Sequence, residues 1–567
     1  MTRPIRLTFL GLLLVLAALA AITLWLLPPP AAATPAPHWR PEGPIVRGAY
    51  HIHSTLSDGT GDLDAIAGAA ARAGLQFVIV TDHGDATRVP AAPHYRFGVL
   101  CIEAVEINTS DGHLVALGAA PSAYPLAGTG RAVLEDVHRL GGAGIAAHPG
   151  SPRESLKWTA WDLPLDGLEW LNADSEWRDE LIGSLGRLIL TGALRPAETL
   201  ASILDRPEEV MNRWDAATRH ARLVGLAGAD AHARLGFRQQ TEPYEGWHVK
   251  VPSYEASFRA FALRVPLDAP LSGDPGRDAA EVTLRLRAGR TFTVVDGLAT
   301  PGTFEFTATS AGRTARMGDY LDVVGEVMLH VRMAAPPGAR MVVLKDGVSL
   351  FDTTDPETHL GVTTEPAVYR VEIYTPGATG HPPIPWLVSN PIYVGLRDIH
   401  ARARATARRP DVRARTALDF GAWVREASPG SESTLEAPAP ADGGMAWSWR
   451  FALARGVPAG QYAALRFPHA GLEGHDRIEL RARADGPMRA WVQVRTRRGE
   501  RWGRTVYLDD AFRTEEVFFD ELQPIGVTST ESPQLSAIDA VLLVVDTLNT
   551  RPGSGGRVEI AGLALGQ

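Results

Sequence analysis

The sequence predicts an α/β protein whose main domain is barrel-like, followed by two all-β sandwich domains. Over residues 45–297, about seven short apolar runs alternate with helical stretches, and such runs are typical of buried parallel strands. Most of these runs end in His, Asp or Glu. The carboxyl ends of parallel strands are where α/β folds place their active sites. After residue 301 the helical spacing fades and short alternating strands predict the β domains.

The N-terminus predicts a membrane anchor. Arg3 and Arg6 precede Leu7–Leu27, 21 residues without a charge, and a bilayer core of roughly 30 Å needs about 20 helical residues. Ala31–Ala33 offers the alternative of a cleaved signal peptide. The preceding Arg residues predict an inner-membrane protein that crosses once, with its bulk in the periplasm. The predicted segments are a stub and anchor over 1–27 and a stiff Pro/Ala linker over 28–44.

Composition limits the classes of function. The chain has 567 residues, a net charge of −9 and a pI near 6.0, so it lacks the basic surface that predicts a nucleic-acid partner. The single cysteine, Cys101, excludes an intramolecular disulfide and is expected to be a small buried hydrophobe.

The stretch Tyr50–Gly59 carries the first chemical signal. Residues i and i+2 of a strand point to the same face, so His51 and His53 present two imidazoles side by side, as ligands of one metal ion would be. Asp58 follows in the loop after the strand, within reach of the same ion. Alone, a His-x-His pair is a weak signal.

The following elements repeat this pattern. Asp62–Ala73, closed by Gly74, is a predicted helix, and the buried strand Phe77–Val80 ends at Asp82 and His83. A second helix is predicted over Arg131–Leu140, and a helical crossover connection between strands is predicted over 177–222. The other predicted strands and their polar residues are Val105–Ile107 with Glu106, Gly112–Gly118 with His113, Gly144–Ala147 before His148, Leu168–Asn172, and Leu223–Gly228 before Asp230 and His232.

Past the barrel-like domain (45–297), the sequence predicts a small β-sandwich over 301–396, an Arg/Ala-rich linker over 397–415 and a second β domain over 416–567. The last domain is similar in pattern to jelly-roll, galactose-binding-like modules, which makes a glycan its predicted ligand.

Nine side chains of the barrel-like domain are candidate metal ligands, and their mixture of imidazoles and carboxylates suits Zn, Mn or Fe(II) better than Ca or Mg. A His at a strand end is usually an ordinary hydrogen-bonded group, but ten of the 17 His fall between residues 45 and 250. Glu103 is the alternative to Glu106, while Glu169 and Asn172 fit a pocket or a structural role. The candidate ligands are His51, His53, Asp58, His83, Glu106, His113, His148, Asp230 and His232.

These motifs, in this order, resemble the polymerase-and-histidinol-phosphatase (PHP) metallohydrolase domain over roughly residues 45–297. The spacing from Glu106 to His113, together with Leu168–Asn172 and Ser389–Tyr393, resembles the carbaryl-hydrolase branch of that family. The resemblance implies a distorted seven-stranded, TIM-like (β/α) barrel with two or three divalent metal ions at its C-terminal face.

The resemblance also implies how the ligands divide among the ions. Glu106 would bridge two ions, with His51, His53 and Asp230 on the first and His148, with His113, on the second. Asp58, His83 and His232 would hold a third ion, and Asp82 would orient a ligand. Glu106, His148 and His232 are the residues expected to take part in catalysis.

Three functions compete on this evidence. The first is a metal-dependent phosphoesterase that uses a metal-activated hydroxide on a small ester. The second applies the same hydroxide to a carbamate or carboxylic ester. The third is a non-catalytic surface protein that binds glycan, against which the intact ligand set argues.

Overall fold

The computed structural model describes residues 3–178, 186, 188, 190–236, 248–249, 251–406, 411–418, 422–441, 444–456 and 460–567. The chain forms two compact units. The first comprises residues 1–84, 90–119 and 137–407, and the second comprises residues 85–89, 120–136 and 408–567. Parts of the predicted segments lie outside the described residues, including 179–185 of the crossover, 237–247 of the barrel-like domain, 407–410 of the linker and 457–459 of the last β domain.

A closed ring of strands forms the centre of the first unit. Its strands are β1 (Ile45–Ile52), β2 (Phe77–Val80), β3 (Val99–Glu103), β4 (Val105–Thr109), β5 (Gly112–Leu117), β6 (Ala143–Ala146), β7 (Gly167–Asn172) and β8 (Val224–Ala231). The pairing is parallel except around β5, which is antiparallel to β4 and to β6. The ring closes where Gly228 of β8 pairs with Tyr50 of β1. These strands are buried almost throughout, as expected for strands covered on both faces.

The strands β3 and β4 act as one interrupted strand, which gives the ring seven members among the described residues. The backbone N–H of Ala104 donates to Val80 (2.7 Å) and that of Glu106 donates to Asp82 (3.2 Å), so β2 pairs with both halves. This continuation carries His83 alongside Glu106, with which it forms a bridge. The pairing therefore brings two predicted ligands together at one edge of the barrel.

The first barrel helix shows how sequence signals set its ends. Asp62 caps the helix Leu63–Arg72 by accepting from the backbone N–H of Ala65 (2.9 Å). Gly74 takes a φ of +74° just beyond the helix, where glycine is favoured. The other helices are Gly130–Arg139, Ala173–Arg178, Pro196–Ala201, Glu208–Thr218, Tyr254–Ala260, Pro275–Arg287 and Arg397–Thr406.

The N-terminal apolar stretch forms the helix Arg3–Leu26. Among the helices of the described part of the chain, none is both long enough and apolar enough to cross a membrane. The predicted membrane-spanning helix over Leu7–Leu27 is therefore not supported.

The rest of the first unit is a β structure that continues from the barrel. Ala262–Pro266 pairs with β1 and with Phe292–Val294, which in turn pairs with Leu387–Ser389. Further strands of this sheet are Tyr320–Leu321, Arg340–Lys345, Val348–Thr353, Ala367–Tyr374 and Ile392–Val394, and His94–Arg96 pairs with β3. A separate antiparallel sheet has the order Arg313–Arg316, Thr303–Ser310, Val327–Ala334 and Glu357–Val362. The residues predicted as a small sandwich thus share a compact unit with the barrel.

The second unit contains two antiparallel sheets with a common apolar core, which includes Trp449, Trp502 and Val492. The strands of one sheet are Arg415–Ala417, Glu432–Leu435, Ala439–Ala441, Gly444–Ala452, Arg477–Ala484, Arg513–Phe518 and Gly555–Gly566. The strands of the other are Val424–Ala427, Tyr462–Pro468, Met488–Thr496, Arg501–Leu508, Gln523–Pro524 and Ile538–Asp546.

Two segments that the sequence assigned to the barrel, 85–89 and 120–136, belong to the second unit. Arg489 lies buried against Asp136, with Nε and Oδ2 2.8 Å apart, and also reaches Glu135 at 3.0 Å. The side-chain amide of Asn549 donates to the carbonyl of Pro125 (2.9 Å). The predicted domain over 45–297 is therefore not continuous, because a buried ion pair and hydrogen bonds fix these loops to the C-terminal sheets.

Candidate metal centre

The first two candidate ligands lie where the sequence pattern predicts. His51 and His53, at the end of β1, are fully buried, and their Nε2 atoms are 3.1 Å apart. The Nδ1 atom of His51 lies 2.5 Å from Oε1 of Glu169, so in the neutral ring Nδ1 carries the proton and Nε2 presents a lone pair. Two ring nitrogens that face one another in this way suit a shared cation.

Glu106 lies at the centre of the site. Its Oε2 is 3.2 Å from Nε2 of both His51 and His53. Its Oε1 is 2.8 Å from Nδ1 of His113 and 2.8 Å from Nε2 of His148. Each oxygen of one carboxylate therefore faces a different pair of imidazoles, which is the arrangement of a carboxylate that bridges two ions.

Asp230, at the end of β8, completes the first group of ligands. Its Oδ1 lies 3.4 Å from Nε2 of His51 and of His53. Two atoms bound tetrahedrally to one ion at about 2.1 Å lie about 3.4 Å from each other. The spacing of this group, His51, His53, Glu106 and Asp230, is therefore that of ligands around a single ion.

A third group lies on the other side of His53. Oδ2 of Asp58 is 3.1 Å from Nε2 of His232 and 3.9 Å from Nε2 of His83, while its Oδ1 is 3.4 Å from Nδ1 of His53. The rings of His53 and His232 stack at 4.2 Å. His83 also places Nδ1 3.2 Å from Oε2 of Glu106, the oxygen that faces His51 and His53, so it connects the third group to the first. All nine predicted ligands thus converge on one connected site.

The charges of this site depend on one another. Burial alone would raise the pKa of the Glu106 carboxyl, but the surrounding imidazoles hold it well below the usual value. The pKa of Asp230 is likewise held well below its usual value against the effect of burial. Burial opposes protonation of His148 and His232, yet contacts with Glu106 and Asp58 raise their pKa values to about 9 and about 10. Protons on histidines therefore balance the buried carboxylates, and divalent cations would take over that role.

Three of the candidate ligands have strained backbone conformations. His51, His148 and Asp230 have φ values of 63°, 31° and 41°, in a region that residues other than glycine rarely adopt. Such strain of about 1–3 kcal/mol each persists where the surrounding structure enforces it, and it concentrates at functional sites. In this site it occurs at the ends of three different strands, where the chain must turn each side chain toward the centre.

Glu169 is the residue whose role the sequence left open. Besides its contact with His51, its Oε2 accepts from the backbone N–H of His148 (2.8 Å) and from the side chain of Asn172 (2.7 Å). It therefore orients one ligand of each of the first two groups. A lone carboxylate in an otherwise apolar, buried strand is the signal that could have assigned it.

Asp82 acts through the loop that follows β1. It accepts from the backbone N–H of Ser54 (2.7 Å) and from the hydroxyl of Ser57 (2.5 Å), and the Ser57 hydroxyl lies 3.3 Å from Nδ1 of His53. The orienting role predicted for Asp82 is thus exerted on the loop that carries Asp58. Glu103, the alternative to Glu106, instead accepts from the backbone N–H of Ala91 and is in none of the ligand groups found among the described residues.

A cavity of about 300 Å³ opens beside the third ligand group. Asp58, Asp230 and His232 form one wall. The remaining walls combine cationic and apolar side chains. They include Arg153, Arg178, Arg234, Trp177, Leu200, Ile203 and Phe261.

Comparison with known proteins gives little further guidance. No family model and no curated protein matches the chain. A two-domain protein from Bacteroides vulgatus, described as containing a predicted PHP-like metal-dependent phosphoesterase, is similar over 64% of this chain and 98% of its own, at 13% identity and a TM-score of 0.31. A family 11 carbohydrate-binding module from Clostridium thermocellum is similar over 28% of this chain and 95% of its own, at 13% identity and a TM-score of 0.23. Likenesses this weak carry no argument, so the case for function rests on the geometry of the site.

Proposed function

We propose that this protein is a metal-dependent hydrolase that cleaves a phosphoester. The observation that carries the proposal is the central carboxylate of Glu106, whose two oxygens face separate sets of imidazoles. Imidazole and carboxylate donors at these spacings fit two or three ions of the Zn, Mn or Fe(II) type. When bound, such ions lower the pKa of a coordinated water and stabilise negative charge on the substrate.

The residues of the chain supply the remaining functions. Glu106, with His51, His53 and Asp230, would hold the first ion, and His113 and His148 would face the second. Glu169 fixes the ring of His51, so that its Nε2 lone pair points into the site.

The third group lies beside the cavity, where it would act on the leaving group of the substrate. Asp58 and His83 would hold a third ion together with His232. In a form with only two ions, His232 lines the cavity and its Nε2 lies 3.1 Å from Oδ2 of Asp58, a position suited to pass a proton to the leaving oxygen.

The cavity supports an anionic substrate. Arg153, Arg178 and Arg234 line it next to three candidate ligands, and Arg178 forms an ion pair with Asp174. Guanidinium groups bind phosphate oxygens in a bidentate manner, which an uncharged carbamate cannot match.

A carbamate or carboxylic ester is the second candidate substrate, and the apolar wall of Trp177, Leu200 and Phe261 favours it. The glycan ligand of the C-terminal domain and the periplasmic location remain predictions from the sequence.

A substrate panel on the full-length protein, reloaded separately with Zn²⁺, Mn²⁺ or Fe²⁺, tests the proposal. We expect turnover of aryl phosphates, and loss of both metal and turnover in His51→Ala. Arg153→Met should lower kcat/KM for aryl phosphates by about 10–100-fold, the value of a charged hydrogen bond, but not for aryl acetates. Arg213→Met, at an exposed position outside the cavity lining, is the matched control. Turnover of aryl carbamates without turnover of aryl phosphates would reverse the assignment.

A further inference from the structure

A second group of side chains of the types that bind metals lies far along the sequence from the candidate ligands of the barrel. His330, Glu357 and His359 project from neighbouring strands of the four-stranded sheet, and His38 approaches from the segment that precedes the barrel. We call these four residues the His330 cluster. The proposed function uses none of them.

The strand register creates this cluster. His330 and His359 are direct cross-strand partners, and their rings stack at 4.0 Å with an interplanar angle of 13°. Glu357 precedes His359 by two residues, so both side chains emerge on the same face of the strand. The arrangement uses the same i, i+2 spacing that brings His51 and His53 together in the barrel.

The distances between potential ligand atoms fit a single ion. Nε2 of His330 lies 2.8 Å from Oε1 of Glu357, and Nε2 of His359 lies 3.6 Å from the same oxygen. Nε2 of His38 lies 3.4 Å from Oε2 of Glu357. Ligands of a tetrahedral zinc ion, at about 2.1 Å from the metal, are separated by about 3.4 Å. His330, His359 and Glu357 therefore lie at separations that suit one centre, and His38 faces the second oxygen of the same carboxylate.

The segment that carries His38 is fixed to the same unit by independent contacts. Ala32–Ala33 pairs with Ala299–Thr300. The guanidinium of Arg332 lies 5.6 Å from the ring centre of Trp39, and the backbone N–H of Glu42 donates to Oε1 of Glu305 (2.9 Å). His38 therefore approaches the sheet as part of a docked segment.

The charge around the cluster does not exclude a cation. Arg332 is a nearby positive charge, and it forms an ion pair with Glu305 (2.7 Å). His330 and Glu357 are partly exposed, whereas His38 and His359 are mostly exposed. An ion can therefore enter directly from solvent.

We infer that the His330 cluster is a separate transition-metal site of the zinc type, in which His38 ties the segment before the barrel to the four-stranded sheet. Imidazole-rich donor sets of this kind select Zn²⁺ and its neighbours over Ca²⁺ and Mg²⁺. We assign no chemical reaction to this site, and its existence does not depend on the proposed hydrolase activity.

Zinc titration of the metal-free full-length protein tests the site. We expect the double variant His330→Gln/His359→Gln to bind one equivalent less than the wild type while keeping its hydrolase activity. His381→Gln, which alters an exposed histidine outside the cluster, is the control and should bind like the wild type. Equal zinc stoichiometry in the double variant and the wild type would overturn the proposal. His359→Gln alone changes a mostly exposed side chain, so it reports on the site even if the double variant folds poorly.

Hydrogen exchange tests the role of His38. Zinc should slow amide exchange over residues 36–42 in the wild type, and His38→Gln should abolish this effect and weaken zinc binding by at least about tenfold. His38 contacts the carboxylate of Glu357, and loss of such a contact to a metal ligand costs about 10–100-fold in affinity. Unchanged zinc affinity together with unchanged exchange in His38→Gln would refute the tie.

Discussion

Replacing Glu169 by Gln should weaken metal binding although no ligand is changed. The carboxylate of Glu169 accepts from three donors: Nδ1–H of His51, the backbone N–H of His148 and the side-chain amide of Asn172. Gln offers one acceptor oxygen and one NH₂ group. If the oxygen faces His51, the NH₂ group meets two other donors. If the NH₂ group faces His51, the imidazole must take the tautomer that places its proton on Nε2, toward the ions.

The size of the effect follows from these contacts. A buried hydrogen bond to a charged group contributes about 1.5–3 kcal/mol, and partners that orient metal ligands contribute about 10–100-fold in metal affinity. We therefore expect Glu169→Gln to raise the dissociation constant for the first metal by about 10–100-fold, measured by competition with a chelator. kcat should recover largely at saturating metal, because the ligands are intact.

The control for this experiment is Glu103→Gln, which changes a half-buried carboxylate of the barrel that accepts from the backbone N–H of Ala91. It should leave metal affinity unchanged. If Glu169→Gln bound metal within about twofold of the wild type, the inferred control of the His51 tautomer would be wrong.

Further predictions concern the same site and the second unit. A Cβ at Gly228 would lie 2.6 Å from Oε1 of Glu169, so Gly228→Ala should displace that carboxylate and lower metal affinity without altering a ligand; unchanged affinity in chelator competition would contradict this. His148 and His232 have folded-state pKa values of about 9 and about 10, above their unfolded value of about 6.5. Their stabilising contribution to the metal-free protein is therefore complete below about pH 6.5 and is lost as the pH rises through 9 to 10, which denaturant titrations across this range would detect. Metal binding should release protons, measured by calorimetry in buffers of different ionisation enthalpy. Arg489→Ala removes the buried cationic partner of Asp136 and should destabilise the protein by about 3–5 kcal/mol in thermal unfolding. Arg513→Ala, which removes an exposed pair, should cost under about 1 kcal/mol.

The convergence of the candidate ligands was predictable because it depends on local rules. Alternation along a strand places His51 beside His53, and the shared edge of parallel strands brings His148 and Asp230 to the same place. The sequence did not specify that His83 would contact Glu106, because this contact arises where β2 continues past Val80 to pair with β4.

Other features depend on contacts between distant segments, which no local pattern encodes. Glu169 could be recognised as a buried carboxylate, but its partners come from β1 and from the end of β6. The His330 cluster requires the register of strands about thirty residues apart and the approach of His38. The apolar composition of Leu7–Leu27 predicted a membrane span that the structure does not support.

The route of the chain between its two units limits how the protein can be dissected. Because residues 85–89 and 120–136 complete the C-terminal unit, the polypeptide enters that unit three times, and no single cut separates the two. Transfer of residues 408–567 alone to another protein would separate Arg489 from its acidic partners, Glu135 and Asp136, which stay behind. Any natural or engineered transfer of this module must therefore move all three stretches together. A domain joined in simple tandem would need only one continuous segment.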